Sequence, residues 1–591
     1  MEKWIQRMKK ADFFGLSDEL GVSAQLVRLM VNRGLTTAEE MREYLHPDLS
    51  YMHSPFSMKH IVKGARIAKQ AIDEGQSIVI ASDFDVDGVF SAYILYRGIK
   101  GLGGSVSIDT PDRVSEGYGL NRRIVDDAAV KGAGLIITCD NGIAACDAVT
   151  YAKAKGIAVV VTDHHEVQFK TGPSGAKEQE LPPADAVIDP KQEDCSYPYK
   201  DLCGAGVAYK FIQVLYSLFD REMSECEYLL EYAAVATIAD VMPLTGENRI
   251  IVKFGLEMLN ATKHAGLLAL IKETGLEKGQ LTAYHIGFII GPCFNAAGRI
   301  ATVKEALELL TTEDPARAAE LAQVLKNYND ERKQMTDEGV KKAFEILDAD
   351  EAYQNEKVLV IDIGDCHESI AGIVAGRVKE RYNKPSIVLT ETEGGMLKGS
   401  GRSIDAYDMF AALSEVKDIF DKFGGHKMAA GMSLKKERFD EFRKRVNGSC
   451  TLTDEDLVRK LYIDIALPVQ YATEEFINEM DLMEPYGPGN EKPVFAEASF
   501  RVSNMRRIGQ NGKFLRLWLI NKYEQKADAV YFGDPDAFDA FIRETYSEDV
   551  LKAMYNGRSP NEKVAFAYYP QINEFRGNKT VQIVIRSYCH I

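Results

Sequence analysis

The sequence lacks any uninterrupted apolar run of the roughly 18 residues that a membrane-spanning helix requires. This absence holds although 46% of its 591 residues are hydrophobic. Residues 1–6 also lack the apolar stretch of a secretory signal peptide. We therefore expect a cytoplasmic protein with no membrane partner.

Cysteine pairs at metal-binding or redox spacing are missing as well. None of the nine cysteines forms a Cys-x-x-Cys pair, which argues against a zinc ribbon and against a disulfide framework. We expect the thiols to be reduced, as they are in the cytosol.

An excess of positive charge is also absent. The chain has 71 Lys and Arg residues against 88 Asp and Glu residues, a net charge of −17. Negative charge repels phosphates and so argues against a nucleic-acid partner. A focused basic groove or bound metal ions can outweigh it locally, so net charge alone does not decide the question.

The chain is too long for a single hydrophobic core. The fold class predicted is α/β, in five segments. Residues 1–60 form short helices, and 20–29 resemble a helix-turn-helix fragment that lacks a basic face, which favours packing over DNA reading. Residues 61–300 form a parallel-sheet catalytic lobe, 301–350 a helical connector and 351–454 a smaller α/β lobe. Residues 455–591 contain short strands that fit an OB-fold-like barrel.

Apolar, β-branched runs in the first lobe predict a parallel sheet that is buried on both faces. They lie at 78–81, 106–108, 135–138, 158–162 and 186–188, with helical stretches between most of them. Ligands of such sheets bind beyond the carboxyl ends of the strands. The residues that follow each run are therefore expected to share one edge.

Those following residues are acidic or imidazole side chains. A further carboxylate, Asp240, ends a nearly apolar helix, where the helix dipole is unfavourable unless a positive charge faces it. The set comprises Asp83, Asp85 and Asp87 after the first run, Asp140 after the third, Asp163, His164 and His165 after the fourth, and Asp240.

So many carboxylates at one edge would repel one another unless a cation held them. A solvated acidic loop is the alternative for the first three aspartates alone. Carboxylate with imidazole suits Mn²⁺ or Mg²⁺ better than zinc, and this number of ligands suits two ions. Two such ions predict hydrolysis of phosphoesters.

Two glycine-rich stretches of the second lobe, 399–403 and 424–431, combine backbone amides with a cation or hydroxyl, as a phosphate-binding loop does. Tight turns are the alternative. Residues 294–299 predict a small-residue turn that offers one guanidinium, Arg299.

In the barrel, cations and aromatic rings alternate as they do in single-strand-binding faces, with an ordinary hairpin as the alternative. That cluster is Arg501, Arg506, Arg507, Lys513, Phe514, Arg516 and Trp518.

The motif 83–88, together with 140–142, 163–165 and Asp240, resembles the four motifs of the DHH phosphoesterases. Residues 424–431 are similar to the glycine-rich motif of their associated second domain. Residues 113–119, 295–299, 399–403 and 486–490 and the terminal barrel narrow the resemblance to the RecJ exonucleases. That resemblance implies 5′-to-3′ degradation of single-stranded DNA to mononucleotides with two Mn²⁺ or Mg²⁺ ions, in DNA repair and recombination.

The resemblance also implies residue roles. Asp140 would bridge the two ions, His165 would face the scissile phosphate, and Asp163 would orient a histidine. The implied metal ligands are Asp83, Asp85, Asp87, Asp140, His164 and Asp240, and the implied substrate contacts are Arg113, Arg299, Ser400, Arg402 and His426. Cys366 and Phe294 replace the Trp and Ile usual in the family. Single-stranded DNA, a single-strand-binding protein and a helicase are the expected partners of a monomer.

Two other functions are alternatives for a DHH-like chain. A DHH phosphodiesterase for small substrates would generally lack an appendage like 455–591. A non-catalytic scaffold, like the degenerate DHH relative of eukaryotic replication, would lack some of the ligands that are all present here. Both features favour the exonuclease.

Overall fold

The computed structural model describes residues 2–113, 116–171, 177–392, 394–575 and 577–591. Val114 and Ser115 of the predicted motif 113–119 lie outside these ranges. The chain forms two compact units, Met52–Leu457 and a second made of the residues up to Tyr51 together with Val458–Ile591. In the described ranges, no helix is both long and apolar enough to cross a bilayer.

The N-terminal part of the discontinuous unit begins with a short strand and three helices. The helix α2 buries Leu26, Val27, Leu29 and Met30 in the same core as the barrel strands, so it is a packing element. Thr37 and Glu40 form the expected capping box of α3. The elements are β1 (Lys3–Gln6), α1 (Phe13–Leu20), α2 (Ala24–Asn32) and α3 (Ala38–Leu45).

The first lobe of the continuous unit contains a five-stranded sheet in the order β3-β2-β4-β5-β8, with every neighbouring pair parallel. Its central strands are buried on both faces, which is why their sequences are continuous apolar runs. The strands are β2 (Ser77–Ser82), β3 (Ser105–Asp109), β4 (Ala133–Cys139), β5 (Ala158–Thr162), the hairpin β6 (Gln168–Thr171) and β7 (Lys177–Glu180), and β8 (Ala186–Ile188).

Helices cover both faces of this sheet. Those that precede or separate the strands are α4 (Ile61–Asp73), α5 (Val86–Gly101), α6 (Arg122–Val130) and α7 (Cys146–Ala154). Those that follow are α8 (Gly204–Leu218), α9 (Leu230–Ala239), α10 (Gly246–Ala261), α11 (Ala265–Glu273), α12 (Ala283–His285), a π-helix (Ile286–Ile290), α13 (Gly291–Ile300) and α14 (Lys304–Thr311).

The predicted connector is one helix of 35 residues, α15 (Pro315–Ala349). It is not exposed all round, because Leu321, Leu325, Gly339 and Ala343 are buried along one face. A short helix, α16 (Ala352–Asn355), follows it.

The second lobe is a mixed sheet in the order β12-β13-β11-β10-β9. The glycines of its two glycine-rich stretches lie on strands, and only Lys427 and Met428 form a turn, between β12 and β13. Gly431 pairs with Ser400 on one side and with Gly424 on the other, so the two stretches lie on adjacent strands. The elements are β9 (Leu359–Asp362), α17 (Ala371–Tyr382), β10 (Ser386–Thr392), β11 (Met396–Arg402), α18 (Met409–Ser414), β12 (Phe420–His426), β13 (Ala429–Lys435) and α19 (Phe439–Gly448).

The C-terminal strands close into a barrel in the order β15-β16-β17-β19-β18, which confirms the OB-fold-like prediction. Phe495, Phe500, Phe566 and Tyr568 fill its interior. Two helices between β17 and β18 were not predicted. The elements are β14 (Lys460–Ile463), α20 (Glu474–Asp481), β15 (Phe495–Ile508), β16 (Phe514–Ile520), β17 (Lys526–Tyr531), α21 (Pro535–Thr545), α22 (Glu548–Tyr555), β18 (Lys563–Phe575) and β19 (Asn578–His590).

Candidate active site

Side chains from four elements meet at the carboxyl edge of the parallel sheet. Asp83 follows β2, Asp140 follows β4, Asp163 follows β5, and Asp240 caps the C-terminus of α9. Possible ligand atoms at this edge form three overlapping groups, and within each group all atoms lie within 4.8 Å of one another. The groups are Asp83, Asp85 and Asp140; Asp87, His164 and Asp240; and Asp140, His164 and His165.

Two helix N-termini fix the aspartates of the first loop. Asp85 caps α5, and its Oδ1 accepts a hydrogen bond of 3.0 Å from the amide of Gly88. Asp87 accepts hydrogen bonds of 2.6 Å and 2.8 Å from the amides of Gly204 and Ala205, at the start of α8. The positive ends of both helix dipoles therefore help to hold negative charge here.

In the described part of the chain, these carboxylates form no ion pair with a lysine or arginine. Among the described residues, only His164 and His165 approach Asp87, Asp140 or Asp240 as possible ion-pair partners. Burial and the neighbouring Asp85 raise the pKa of Asp83 to about 8. Burial and Asp87 raise the pKa of Asp240 to about 8 and that of Asp140 well above its ordinary range.

This donor set fits divalent ions. His164 turns Nε2 toward the carboxylates, 3.0 Å from Asp140 Oδ1 and 3.5 Å from Asp87 Oδ2. Its buried Nδ1 has no hydrogen-bond partner in the described part of the chain. Buried carboxylate oxygens and one imidazole, with no lysine or arginine among them, suit hard cations such as Mn²⁺ or Mg²⁺. Asp140 belongs to two of the three ligand groups, which suits a bridging carboxylate.

Asp163 holds His164 and His165 in place through hydrogen bonds. Its Oδ1 accepts hydrogen bonds from the His164 amide at 2.7 Å and from His165 Nδ1 at 2.8 Å, and its Oδ2 accepts one from the Ile143 amide. Burial raises the pKa of Asp163, but these bonds and the His165 charge outweigh it, so the pKa is below its usual value. Burial lowers the pKa of His165, and Asp163 outweighs burial, so the pKa rises to about 9.

The stretch around Asn295 is a helix, not the predicted small-residue turn. It packs directly on the aspartate loop, because Asn295 Oδ1 accepts a hydrogen bond of 3.1 Å from the Val86 amide. A Cβ at Gly298 would lie 2.2 Å from the carbonyl oxygen of Phe84, so this glycine permits a close backbone contact rather than a ligand contact. Phe294 packs in the core against Phe90.

Arg299, at the end of α13, reaches the second lobe. Its Nη1 donates a hydrogen bond of 2.8 Å to the carbonyl of Ser369, just before α17. In the first turn of α17, a Cβ at Gly372 would lie 2.6 Å from Arg402 Nη2 and 3.1 Å from Ser400 Oγ. Arg299, Ser400 and Arg402 thus all lie at the N-terminus of α17, an arrangement we call the α17 cradle.

Among the described residues, neither Arg299 nor Arg402 forms an ion pair with a carboxylate, and their guanidiniums instead donate hydrogen bonds to the Ser369 carbonyl, to Ser400 Oγ and to the Gly401 carbonyl. Burial and the nearby Arg113 lower the pKa of Arg299 to about 10, and burial lowers that of Arg402. Two desolvated guanidiniums at a helix N-terminus form a site for an anion. His426 is exposed on β12 and is separated from β11, which carries Arg402, by β13.

Comparisons with known proteins match this geometry. The DHH family, N-terminal domain, matches residues 77–239, the DHHA1 domain matches 355–451, and the RecJ OB domain matches 463–587. The single-stranded-DNA-specific exonuclease RecJ of Bacillus subtilis is 35% identical over 588 residues, covering 99% of this chain and 70% of that protein. The chain belongs to the RecJ family.

Solved RecJ structures support the fold and the cofactor. The structure of RecJ from Thermus thermophilus in complex with Mn²⁺ has a TM-score of 0.80 at 25% identity and covers 100% of this chain and 80% of that one. Its complex with Mg²⁺ has a TM-score of 0.76 at 25% identity and covers 99% and 78%. The predicted fold class is confirmed, as is Mn²⁺ or Mg²⁺ as the cofactor of this RecJ-family chain.

The barrel of this RecJ-family chain has fewer available cations than its sequence indicates. Arg501 pairs with Glu524, Arg516 with Asp528, and Arg507 with both Asp536 and Asp539. Arg506 and Lys513 form no ion pair among the described residues, and both are exposed. The guanidiniums of Arg506 and Arg516 each lie 5.2 Å from the ring of Trp518, and Phe514 packs edge-on against Phe532.

Two residues of the RecJ-family site were given no role from the sequence. Asn141 donates to the carbonyls of Ala81 and Cys139 and so ties together the ends of β2 and β4. Asp189 is fully buried just after β8, at the carboxyl edge that the other strands share. Asp189 follows the fifth apolar run just as Asp83 follows the first and Asp140 the third, and that position is the signal in the sequence.

Proposed function

We propose that this chain hydrolyses single-stranded DNA from its 5′ end and releases 5′-mononucleotides by a two-metal reaction. The observation that carries the proposal is that, among the described residues, the buried carboxylates form no ion pair with a lysine or arginine, while the arginines of the α17 cradle in the same unit form none with a carboxylate. We assign the metal ligands as Asp83, Asp85, Asp87, Asp140, His164 and Asp240, with Asp140 as the bridge.

When bound, the two ions would activate water and neutralise the charge that develops on the phosphoryl group during in-line attack. The protein supplies the remaining functions. His165 has its Nδ1 hydrogen directed to Asp163, which leaves the Nε2 proton for the scissile phosphate or the departing 3′ oxygen. Asp163 holds that ring in place and stabilises its positive charge.

The α17 cradle provides the polarity in this proposal. A terminal 5′ phosphate bound by Arg299, Ser400 and Arg402 would place the next phosphodiester at the metal ions, so one nucleotide leaves in each cycle. Arg113 and His426 would contact the backbone nearby. The guanidinium carbon of Arg113 lies 4.9 Å from the ring centroid of Phe84. In the chain, Phe84 stands between Asp83 and Asp85, two of the proposed metal ligands.

The barrel would hold the rest of the strand. Its proposed face is Arg506, Lys513 and Trp518, with Phe514 beside them, because stacking and phosphate contact are how such barrels bind single strands. Arg501, Arg507 and Arg516 would contribute only if their carboxylate partners released them. A single-strand-binding protein and a helicase are the proposed partners, and we expect a monomer acting in the cytoplasm.

End-blocked oligonucleotides test the polarity. A single strand with a bulky group on its 3′ end should be degraded with Mn²⁺ at the rate of the unblocked strand, and one blocked at the 5′ end should resist. A fully duplex oligomer controls for strand specificity, and EDTA should stop the reaction. Degradation that stops only when the 3′ end is blocked would contradict the proposal.

A further inference from the structure

Arg123, the second residue of α6, is the centre of a hydrogen-bond network beside the active site. Its Nε and Nη2 donate to the two carboxylate oxygens of Glu116 at 2.6 Å and 3.1 Å. Nη1 donates to Asp109 at 2.8 Å and to Asp127 at 2.9 Å, and Nη2 also donates to the carbonyl of Thr110 at 2.7 Å. Every nitrogen of the guanidinium is therefore engaged.

Most of these partners belong to the segment that leaves β3, while only Asp127 lies on the helix of Arg123. Glu116 extends the network, because its Oε2 accepts a hydrogen bond of 2.8 Å from the Asp112 amide. The amides of Glu116 and Gly117 in turn donate to the Asp112 carbonyl at 2.9 Å and 3.1 Å. Asp109, Thr110, Asp112 and Glu116 are thus joined in one hydrogen-bond network centred on the Arg123 guanidinium.

This segment carries Arg113, whose guanidinium lies over the ring of Phe84. Phe84 is buried and stands between Asp83 and Asp85 in the chain. Next in the chain, the Tyr118 ring also packs against Phe84, with centroids 4.6 Å apart, and the Leu120 amide donates to Asn141 Oδ1 at 3.0 Å. Arg123 therefore holds the chain where it leaves β3, and Asn141 holds it at Leu120.

An ordinary surface ion-pair network is the simpler reading of these contacts, and isolated exposed pairs contribute little. The arrangement at Arg123 differs in two respects. Its partners Asp109 and Glu116 are mostly buried, with side chains 14% and 20% exposed. The contact to Glu116 uses the planar fork of the guanidinium against both carboxylate oxygens, a geometry that fixes orientation as well as distance.

We propose that Arg123 is a positioning residue for this exonuclease: through Asp109, Thr110 and Glu116 it holds the described residues on either side of Arg113, so that Arg113 stays over Phe84, next to the metal ligands, where it can meet the substrate backbone. The inference rests on the proposed function, because it takes Arg113 to contact substrate. In the contacts that the described residues make, Arg123 reaches Asp109, Thr110, Glu116 and Asp127 and none of the proposed metal ligands, so it acts on the site through those residues.

A double-mutant cycle between Arg123→Gln and Arg113→Ala tests this. We expect Arg123→Gln to raise the KM for a single-stranded oligomer about tenfold while kcat changes less than about twofold. Arg113→Ala should raise KM by at least as much. The double variant should match Arg113→Ala alone, because Arg123 has nothing left to position.

Arg122→Gln is the matched control, since Arg122 is the neighbouring residue and its guanidinium instead lies 5.0 Å from the ring centroid of Tyr151. Its KM should equal that of the wild-type chain. Glu116→Gln is a second variant, which removes the two-bond contact between Arg123 and the Glu116 carboxylate and leaves the sequence of α6 unaltered. It should raise KM in the same way and also lose its effect in the Arg113→Ala background.

The proposal is overturned if Arg123→Gln and Glu116→Gln both leave KM unchanged, or if their effects multiply with that of Arg113→Ala. A structural role alone predicts such independent effects. Failure of the proposed function itself looks different, because the wild-type chain would then release no mononucleotides from the 5′ end of a single strand.

Discussion

At the scale of single residues, Asp140 is the most constrained ligand of the proposed centre. It adopts a positive φ of 58°, which is uncommon for a residue other than glycine, and it is almost fully buried. A Cβ at Gly204 would lie 2.7 Å from its Cβ, so its surroundings fix the position of its carboxylate tightly. Such strain persists when the neighbouring structure over-determines the conformation.

Replacing this carboxylate should remove the reaction without unfolding the chain. We expect Asp140→Ala to lower kcat by at least about a thousandfold, because both proposed ions lose a ligand. The melting temperature in the absence of metal should not fall, since the variant removes a buried, repelled carboxylate. Asp73→Ala, an exposed carboxylate of α4, is the control. Near-normal turnover by Asp140→Ala would rule out this metal centre.

Asp163 should matter for turnover rather than for metal content. Asp163→Asn removes the acceptor that fixes His165, so kcat should fall about 10- to 100-fold while the Mn²⁺ stoichiometry, measured by calorimetry, is unchanged. Loss of one bound ion in this variant would instead identify Asp163 as a ligand.

At the scale of elements, α17 offers a matched pair of glycines. Gly372 lies against Arg402 and Ser400, whereas a Cβ at Gly376 would meet nothing within 4 Å. The first glycine leaves room for the α17 cradle, and the second has no such role.

Gly372→Ala should therefore displace Arg402 and raise the KM for a 5′-phosphorylated single strand about tenfold. Gly376→Ala should keep wild-type kinetics and stabilise the chain by about 0.5–1 kcal/mol, the usual gain from replacing a helical glycine. Steady-state assays and thermal melts measure both. Equal kinetics for the two variants would show that the N-terminus of α17 does not bind the substrate.

The barrel makes a separate prediction about salt. Replacing Arg506 and Lys513 with alanine should reduce the salt dependence of single-strand binding by about 1 to 2 in the slope of log K against log salt. Arg501→Ala should leave the slope nearly unchanged, because Glu524 already neutralises that arginine. Fluorescence anisotropy at several salt concentrations checks this, and an effect of Arg501→Ala as large as that of the double variant would refute the assigned face.

The sequence predicts those elements whose residues carry their own signal. β-branched runs and the rule for carboxyl ends locate the parallel sheet and the metal edge. Glycine content does not distinguish a turn from a helix or a strand, so α13, β11 and β13 were misassigned as turns or loops. Contacts between distant positions leave no local pattern, which is why the partners of Arg507 and the network of Arg123 could not be predicted.

At the scale of the whole molecule, the net charge of −17 includes carboxylates that the fold buries together. In the metal-free chain, Asp83 and Asp240 have a pKa of about 8 against ordinary values near 3.8. The folded state therefore binds these protons more tightly than the unfolded state. Their contribution to stability is present at low pH and is lost as the pH rises toward 8.

This linkage predicts how metal and pH act together on stability. Without metal, Asp83→Asn should melt at a higher temperature than the wild-type chain at about pH 8, and the difference should shrink at about pH 5. Excess Mn²⁺ should reverse the order at pH 8, because it binds the folded wild-type site. Scanning calorimetry in metal-free and Mn²⁺ buffers measures this. If the wild-type chain melted at a higher temperature than Asp83→Asn at pH 8 in EDTA, the assigned burial of mutually repelling carboxylates would be contradicted.

The first product from a 5′-labelled single strand tests the central claim most directly. With Mn²⁺, the label should appear at once in a 5′-mononucleotide while the rest of the strand shortens by one nucleotide in each cycle, and EDTA should abolish the reaction. Label that first appears in progressively shorter oligonucleotides, or release that continues in EDTA, would contradict a two-metal exonuclease that starts at the 5′ end.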